Sequence, residues 1–265
     1  MPLSPLLDTY DHVLLDLDGC VWIQDACIAG SAEALAELRR GGKALSFVTN
    51  GARHSPEEYV RKLWSLGLRA SLDEVVTVGA AIQYVLAGRR AGTPAYVIGS
   101  EAIFRHVSDA GCRIVNGTDH ATQAEVVVVA GHDDFCFEEL KTATQAVLGG
   151  AEMVAAGRDR TFPAADGPWP GTGAIVTALE YATQRIARSV GKPDQPIFEA
   201  ALDRVGPGRA LVIGDRLDSD LAGAAAAGLD GAIVLTGVTT REQAEAATDP
   251  APVAIGDDLR SLVIA

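Results

Sequence analysis

Positive charge is what this chain has least of. Its 265 residues carry 22 Lys and Arg against 35 Asp and Glu, a formal net charge of −13 at pH 7. A field of that sign repels an extended phosphate backbone or an anionic bilayer surface, which argues against nucleic acid and membrane as partners. A small anionic ligand is still admissible where a cation and a few backbone N–H groups overrule the field at one spot. Lysine is scarcer still: Lys43, Lys62, Lys141 and Lys192 are the whole supply, and the other 18 basic residues are arginine. Cysteine is sparse too. Cys20, Cys27, Cys112 and Cys136 form no CxxC pair and have no histidines clustered at metal-ligand spacing, so free thiols in a reducing cytoplasm are expected. There is no uncharged apolar run of about 18 residues to span a bilayer, and the first ten residues place no Lys or Arg ahead of an apolar stretch. Neither a GxGxxG fingerprint nor a Walker loop occurs, which removes the two commonest nucleotide cradles.

What is present is a chain 48% hydrophobic whose short apolar runs alternate with helical patterns, the signature of an α/β fold with a doubly wound parallel sheet. Strands are predicted over 12–17, 44–48, 74–78, 95–98, 125–130, 152–156, 210–213 and 232–235. Helices are predicted over 31–40, 79–88, 100–110, 134–148, 174–189, 196–205 and 222–227. Ser55-Pro56-Glu57-Glu58 reads as a capping box with Pro at the first helical position, which starts a further helix ending near Gly67. The Pro- and Gly-rich stretch 161–173, with Trp169 between two prolines, reads as a loop that could wall a site, and Arg158 and Arg160 beside it could meet a second anionic group.

Polar residues collect just past strand ends, where open α/β sheets bind ligands. Asp16 and Asp18 follow the first strand, Thr49 and Asn50 the second, and Asp215 the strand that starts at Ala210. Two carboxylates two residues apart repel each other unless a cation lies between them, and Asp215 from another strand tip would complete a hard oxygen site of the kind Mg²⁺ prefers. An Asx-type turn would use the same DxDG residues. Thr49 and Asn50 offer a hydroxyl and backbone N–H groups to phosphoryl oxygens, although TNG is equally a turn. Lys192, between Gly191 and Pro193, reads either as a mobile point charge aimed at a phosphate or as a solvated loop lysine.

The order of these elements resembles the four signature motifs of the haloacid dehalogenase superfamily: Asp16-Leu17-Asp18-Gly19, Thr49-Asn50, Lys192-Pro193, and Gly214-Asp215-Arg216-Leu217-Asp218-Ser219-Asp220. The long stretch from Gly51 to Lys192 is similar to the α/β cap of the NagD-like phosphatases, as are Val126–Asp133 and Gly228–Thr239. The resemblance implies a Rossmann-like core from residues 1–80 and 179–265 with a cap inserted at 81–178. It implies a Mg²⁺-dependent phosphatase in which Asp16 is the nucleophile, Asp18 the acid/base and Lys192 and Thr49 the phosphate clamp. Asp16, the Asp18 carbonyl and Asp215 would hold the metal, and Asp220 and Asp218 would brace Lys192 or metal-bound water. Asn50, Gly51 and the cap residue Asp159 would contact substrate. The implied partner is a small phosphorylated metabolite, with a homodimer through the cap. The chain departs from the branch pattern at Cys20, at Gly51 where Asn is common, and at Ala156-Gly157 in the cap motif. Cys20 is expected to be a small packing residue. Two other readings use the same residue types: a phosphotransferase or mutase, and a receiver-like signalling module that accepts a phosphoryl group without turnover.

Overall fold

The structure is a computed structural model that describes residues 2–164 and 166–265. Two compact units emerge, the first from the chain up to Thr49, Pro56–Val76 and Lys192–Ala265, the second from Asn50–Ser55 and Thr77–Gly191.

The first unit is built on a six-stranded sheet in the order Ala254–Gly256, Asp230–Val234, Ala210–Gly214, His12–Leu15, Ala44–Thr49, Val75–Thr77. From the central His12–Leu15 strand the chain runs outward on one side through Ala44–Thr49, then on the other from Ala210–Gly214. The direction of winding therefore reverses beside His12–Leu15, the crevice where doubly wound sheets place their ligands. That strand pairs in parallel with both neighbours, Leu15 lying opposite Ile213 on one side and Phe47 on the other. All four of its residues are buried, as a parallel strand covered on both faces requires.

Helices close the faces by presenting apolar stripes at i, i+1 and i+4. Helix Ser31–Arg40 buries Ala34, Leu35 and Leu38, with Glu33 in its first turn and Arg39 and Arg40 in its last, so its charges complement the backbone dipole. Helix Pro56–Ser65 starts at the expected proline and buries Tyr59, Val60 and Leu63. These residues join Val13, Leu15, Phe47, Leu211 and Ile213 in one apolar cluster.

The second unit has its own five-stranded sheet, in the order Arg188–Ser189, Glu152–Ala155, Val126–Gly131, Pro94–Gly99, Arg113–Ile114, with every pairing parallel. It is larger than the expected 81–178. Helix Val78–Leu86 packs on helix Glu101–Asp109, and Arg188–Ser189 pairs with Glu152–Ala155, which carries the boundary to Gly191. The predicted helix 174–189 is corrected on the same ground. It spans Thr172–Thr183, ends where Gln184 turns left-handed at φ 53°, and gives way to the edge strand. The predicted loop 161–173 is instead largely a hairpin of Thr161–Ala164 and Gly167–Pro170; Ala165 lies outside the described residues. A two-stranded ribbon leaves each strand one free edge, so Pro168 and Pro170 can sit in it without breaking a sheet. Among the described residues no helix is long and apolar enough to cross a membrane.

Phe47 is fully buried in the first unit's cluster. Phe47→Ala should destabilise the protein by about 3–5 kcal/mol, measured by denaturant unfolding, because the ring's transfer energy is lost and a cavity remains.

Candidate active site

The site assembles at the carboxyl ends of three adjacent strands of the first unit. Asp16 follows His12–Leu15, and its backbone N–H donates to the Ile213 carbonyl at 2.9 Å, continuing the ladder by one residue. Asp215 follows Ala210–Gly214, and Thr49 ends Ala44–Thr49. Oxygens of Asp16, Asp215 and Asp220 all come within 4.8 Å of one another.

Asp220 reaches this point because the backbone forms one π-helical turn at Leu217–Leu221, immediately after the strand. The turn sends Asp220 inward, 1% exposed, and leaves Asp218 outside. Asp220 uses both oxygens: Oδ1 accepts from Lys192 Nζ at 2.7 Å and Oδ2 from the Arg216 N–H at 3.1 Å. Asp218 instead accepts from the Arg216 guanidinium at 3.0 and 2.9 Å, which holds its carboxyl below the usual range. Of the two acids expected to brace Lys192 or metal-bound water, Asp220 is the one in contact with the lysine, while Asp218 is paired with Arg216.

Lys192 is neither mobile nor solvated. It is 7% exposed and donates to Asp16 Oδ1 at 2.5 Å as well as to Asp220. Burial alone would push its ammonium toward neutrality, but the two carboxylates more than offset this and raise it above the ordinary lysine value. Burial also drives Asp16, pushing its carboxyl up to about 7 against the pull of Lys192, with Asp220 and Asp215 adding repulsion. Asp215 is raised for the same first reason, opposed in part by the Val238 N–H, which donates to Oδ2 at 2.7 Å.

Three carboxylates with one ammonium leave about two negative charges uncompensated in a largely dry site. In addition, Asp215 Oδ1 is buried and has no hydrogen-bond partner among the described residues. An all-oxygen donor set with excess negative charge and an unpartnered carboxylate oxygen fits a hard divalent cation. The backbone packs closely around the Asp215 carboxylate. Gly19, at φ +81°, lies so close that a β-carbon would come within 2.5 Å of Asp215 Oδ2, and one on Gly237 would fall inside the same carboxylate. Both positions exclude a side chain.

Asp18 stands apart from the three converging carboxylates. It is exposed, and its Oδ1 accepts the Trp22 indole N–H at 2.6 Å. Thr49, 5% exposed, is hydrogen-bonded to Tyr59, whose hydroxyl is pushed up to about 12 by burial. Cys20 is fully buried, in line with a packing role, and burial raises its thiol well above the ordinary value.

The other expected site residues lie in the second unit. The Asn50 carboxamide and the Ala156 carbonyl sit against Gly191, while Gly51 follows in the same short segment. The Asp159 carbonyl accepts from Gly173 N–H at 3.0 Å, closing the base of the hairpin. Arg158 is bound to Glu180, with Nη2 at 2.8 Å from Oε1, and to the Ala187 carbonyl at 2.9 Å, a tie between helix and edge strand rather than an anion clamp. Trp169 packs edge-on against Phe162 across the hairpin, and the Arg53 guanidinium lies 3.6 Å over the Phe162 ring while pairing with Asp133 at 2.9 Å. Trp22, Tyr59 and Val238 escaped the sequence reading. The clue to Trp22 is an aromatic at i+4 from Asp18; nothing local marks the other two.

Known proteins resemble this chain in both sequence and fold. A model of haloacid dehalogenase-like hydrolases matches residues 13–113 and one described as HAD-hydrolase-like matches 189–262. The D-glycerol 3-phosphate phosphatase of Mycobacterium tuberculosis is 36% identical over 98% of this chain and 73% of its own. Human chronophin is 33% identical over 92% of this chain and 87% of its own. The crystal structure of the mycobacterial glycerol phosphate phosphatase in complex with magnesium superposes with a TM-score of 0.89, covering 98% of this chain and 78% of that one at 36% identity. The p-nitrophenyl phosphatase of Archaeoglobus fulgidus gives 0.87, covering 96% and 98% at 31% identity. The chain belongs to the haloacid dehalogenase-like hydrolases, among the NagD-like phosphatases of that family.

Proposed function

We propose that the protein is a Mg²⁺-dependent phosphomonoesterase that hydrolyses a small phosphorylated metabolite through an aspartyl phosphate on Asp16. The observation that carries the proposal is the pairing of Asp16 with a buried Lys192 beside the unpartnered Asp215 Oδ1. Asp16 and Asp215, with the Asp18 carbonyl, would hold the metal. When bound, Mg²⁺ offsets repulsion between carboxylates and a phosphate dianion and keeps Asp16 ionised.

In this reading an Asp16 carboxylate oxygen forms a bond to phosphorus while the bond from phosphorus to the ester oxygen breaks. The electron pair stays on the ester oxygen, and protonated Asp18 supplies the proton that lets it leave as a neutral alcohol. Asp18, now a carboxylate, takes a proton from the water whose oxygen attacks the same phosphorus, and Asp16 departs as a free carboxylate. Lys192 and Thr49 place positive charge and a hydroxyl at the phosphoryl oxygens, the electrostatic positioning on which phosphoryl transfer chiefly depends. Asp220 keeps the Lys192 ammonium in place.

The second unit occupies the sequence position of the α/β cap of the NagD-like branch, and Asn50, Gly51 and Asp159 on it are assigned to substrate contact. A homodimer through this unit is part of the same proposal. Four free cysteines fit a reducing cytoplasm.

Asp16→Asn should abolish release of inorganic phosphate from glycerol 3-phosphate and p-nitrophenyl phosphate while leaving the circular dichroism spectrum intact; substantial residual turnover would overturn the covalent mechanism. Chelation by EDTA should stop turnover and added Mg²⁺ restore it, and activity indifferent to metal would remove the carboxylate site.

The raised Asp16 carboxyl gives a third test. A folded-state value above the unfolded one means that the folded protein binds the proton more tightly. This contribution to stability is present below the ordinary carboxylate value and lost as pH rises through about 7. In the metal-free protein, the melting temperature of Asp16→Asn relative to wild type should therefore climb between about pH 5 and about pH 8.

A further inference from the structure

The acid/base carboxylate is the least enclosed part of the site. Asp18 is exposed, on a turn beyond the strand end, yet an acid that protonates one particular oxygen has to present its proton in a fixed direction. Among the described residues one side chain hydrogen-bonds its carboxylate: the Trp22 indole, whose Nε1–H donates to Oδ1 at 2.6 Å. The turn is folded to make this contact. Gly19 N–H donates to the Trp22 carbonyl at 2.7 Å, Trp22 N–H donates to the Leu17 carbonyl at 3.1 Å, and Thr236 Oγ1 ties the Gly19 carbonyl at 2.5 Å.

Trp22 is itself immobilised. It is fully buried and begins a short antiparallel hairpin, Trp22–Ile23 with Ala26–Cys27. Its ring lies parallel to that of Tyr59, 2° apart in plane with centroids at 6.3 Å, and the Lys62 ammonium sits 4.6 Å from its centroid. Tyr59 is in turn hydrogen-bonded to Thr49. A chain of contacts therefore runs from the exposed carboxylate through two buried rings to the threonine that ends the neighbouring strand.

We propose that Trp22 is the positioning residue of the acid/base carboxylate: its indole N–H anchors Oδ1 of Asp18, so that Oδ2 carries the proton to the leaving oxygen, and the stack on Tyr59 keeps that carboxylate in register with Thr49. An indole nitrogen only donates, so the oxygen it holds serves as acceptor and the proton is confined to the other one. The proposal rests on the phosphatase reading above and adds a residue to it. The bonds made and broken are those already described. Trp22 transfers nothing; it restricts the direction from which the proton arrives.

The test is Trp22→Phe, which removes the N–H and keeps a ring, in the full chain with Mg²⁺. An alkoxide leaving group needs a proton as it departs, whereas nitrophenolate leaves as the anion. kcat/KM reports steps up to departure of the leaving group, so its loss on glycerol 3-phosphate should exceed its loss on p-nitrophenyl phosphate by about tenfold, a fraction of the roughly 100- to 10,000-fold that acid catalysis supplies. In the Asp18→Asn background, the same Trp22→Phe change should cost almost nothing further. Equal losses on the two esters, or losses that add in the double variant, would mean that Trp22 only supports the fold.

A second measurement does not depend on that variant folding. In wild-type protein the Trp22 indole proton should resonate downfield and exchange slowly; in Asp18→Ala it should move upfield and exchange faster. A resonance indifferent to Asp18→Ala would overturn the contact itself. If wild type releases phosphate from neither ester, the phosphatase reading falls with this one; if wild type turns over and the selectivity between esters is unchanged in Trp22→Phe, this inference alone falls.

Discussion

A lysine ammonium held between two carboxylates in a nearly dry pocket is the interaction around which this protein is organised. Burying Lys192 with Asp16 and Asp220 costs several kcal/mol per ion before any attraction is counted, and mutual contact at 2.5 and 2.7 Å recovers it only while all three remain in place. Such a cluster needs rigid supports. Asp16 stands on the central strand of a buried parallel sheet, and Asp220 on a π-helical turn that follows the adjacent strand. Asp215 lies between them in sequence and adds a third carboxylate. The surplus of negative charge is the reason that a cation belongs there, and it sits at the place in the sheet where the winding reverses.

Backbone devices do much of this work. The left-handed Gly19 lets the chain turn sharply after Asp18 and pass close to Asp215, while Gly237 lets a second loop come equally near and Val238 donate its N–H. Both loops come from the carboxyl ends of strands in the same sheet, so their approach follows from strand order. The donors and charges are in position before any substrate arrives, which is how a phosphoryl-transfer site avoids reorganising at the moment of reaction. Asp18 is the exception, and the hairpin that carries Trp22 brings it under the same kind of control.

Local signals in the sequence account for much of this. Alternation of apolar runs with helical stripes specifies a parallel α/β sheet, and helices Ser31–Arg40, Pro56–Ser65 and Pro196–Val205 begin and end beside the prolines and glycines that bound them. The order of acidic pair, threonine, lysine and a second acidic run marks the strand ends that carry Asp16, Thr49 and Asp215. Signals of this kind depend on neighbours a few positions apart. The segment 184–189 misleads for the same reason: its composition continues a helix, but Gln184 turns left-handed and Arg188–Ser189 finds a strand to pair with.

The sequence by itself therefore determined the fold class, the order of the main strands and helices, and which polar residues stand just past the strand ends, because periodicity is local physics. Which acid would brace the lysine was decided only in three dimensions. Asp218 and Asp220 are two residues apart and chemically identical, and a single π-helical turn directs one to Arg216 and the other to Lys192. Burial converted Lys192 from a loop cation into a pinned one, and the turn after Gly19 paired Asp18 with Trp22. Contacts such as Lys192 with Asp16 join residues far apart in the chain, and only strand order and turn dihedrals bring them together.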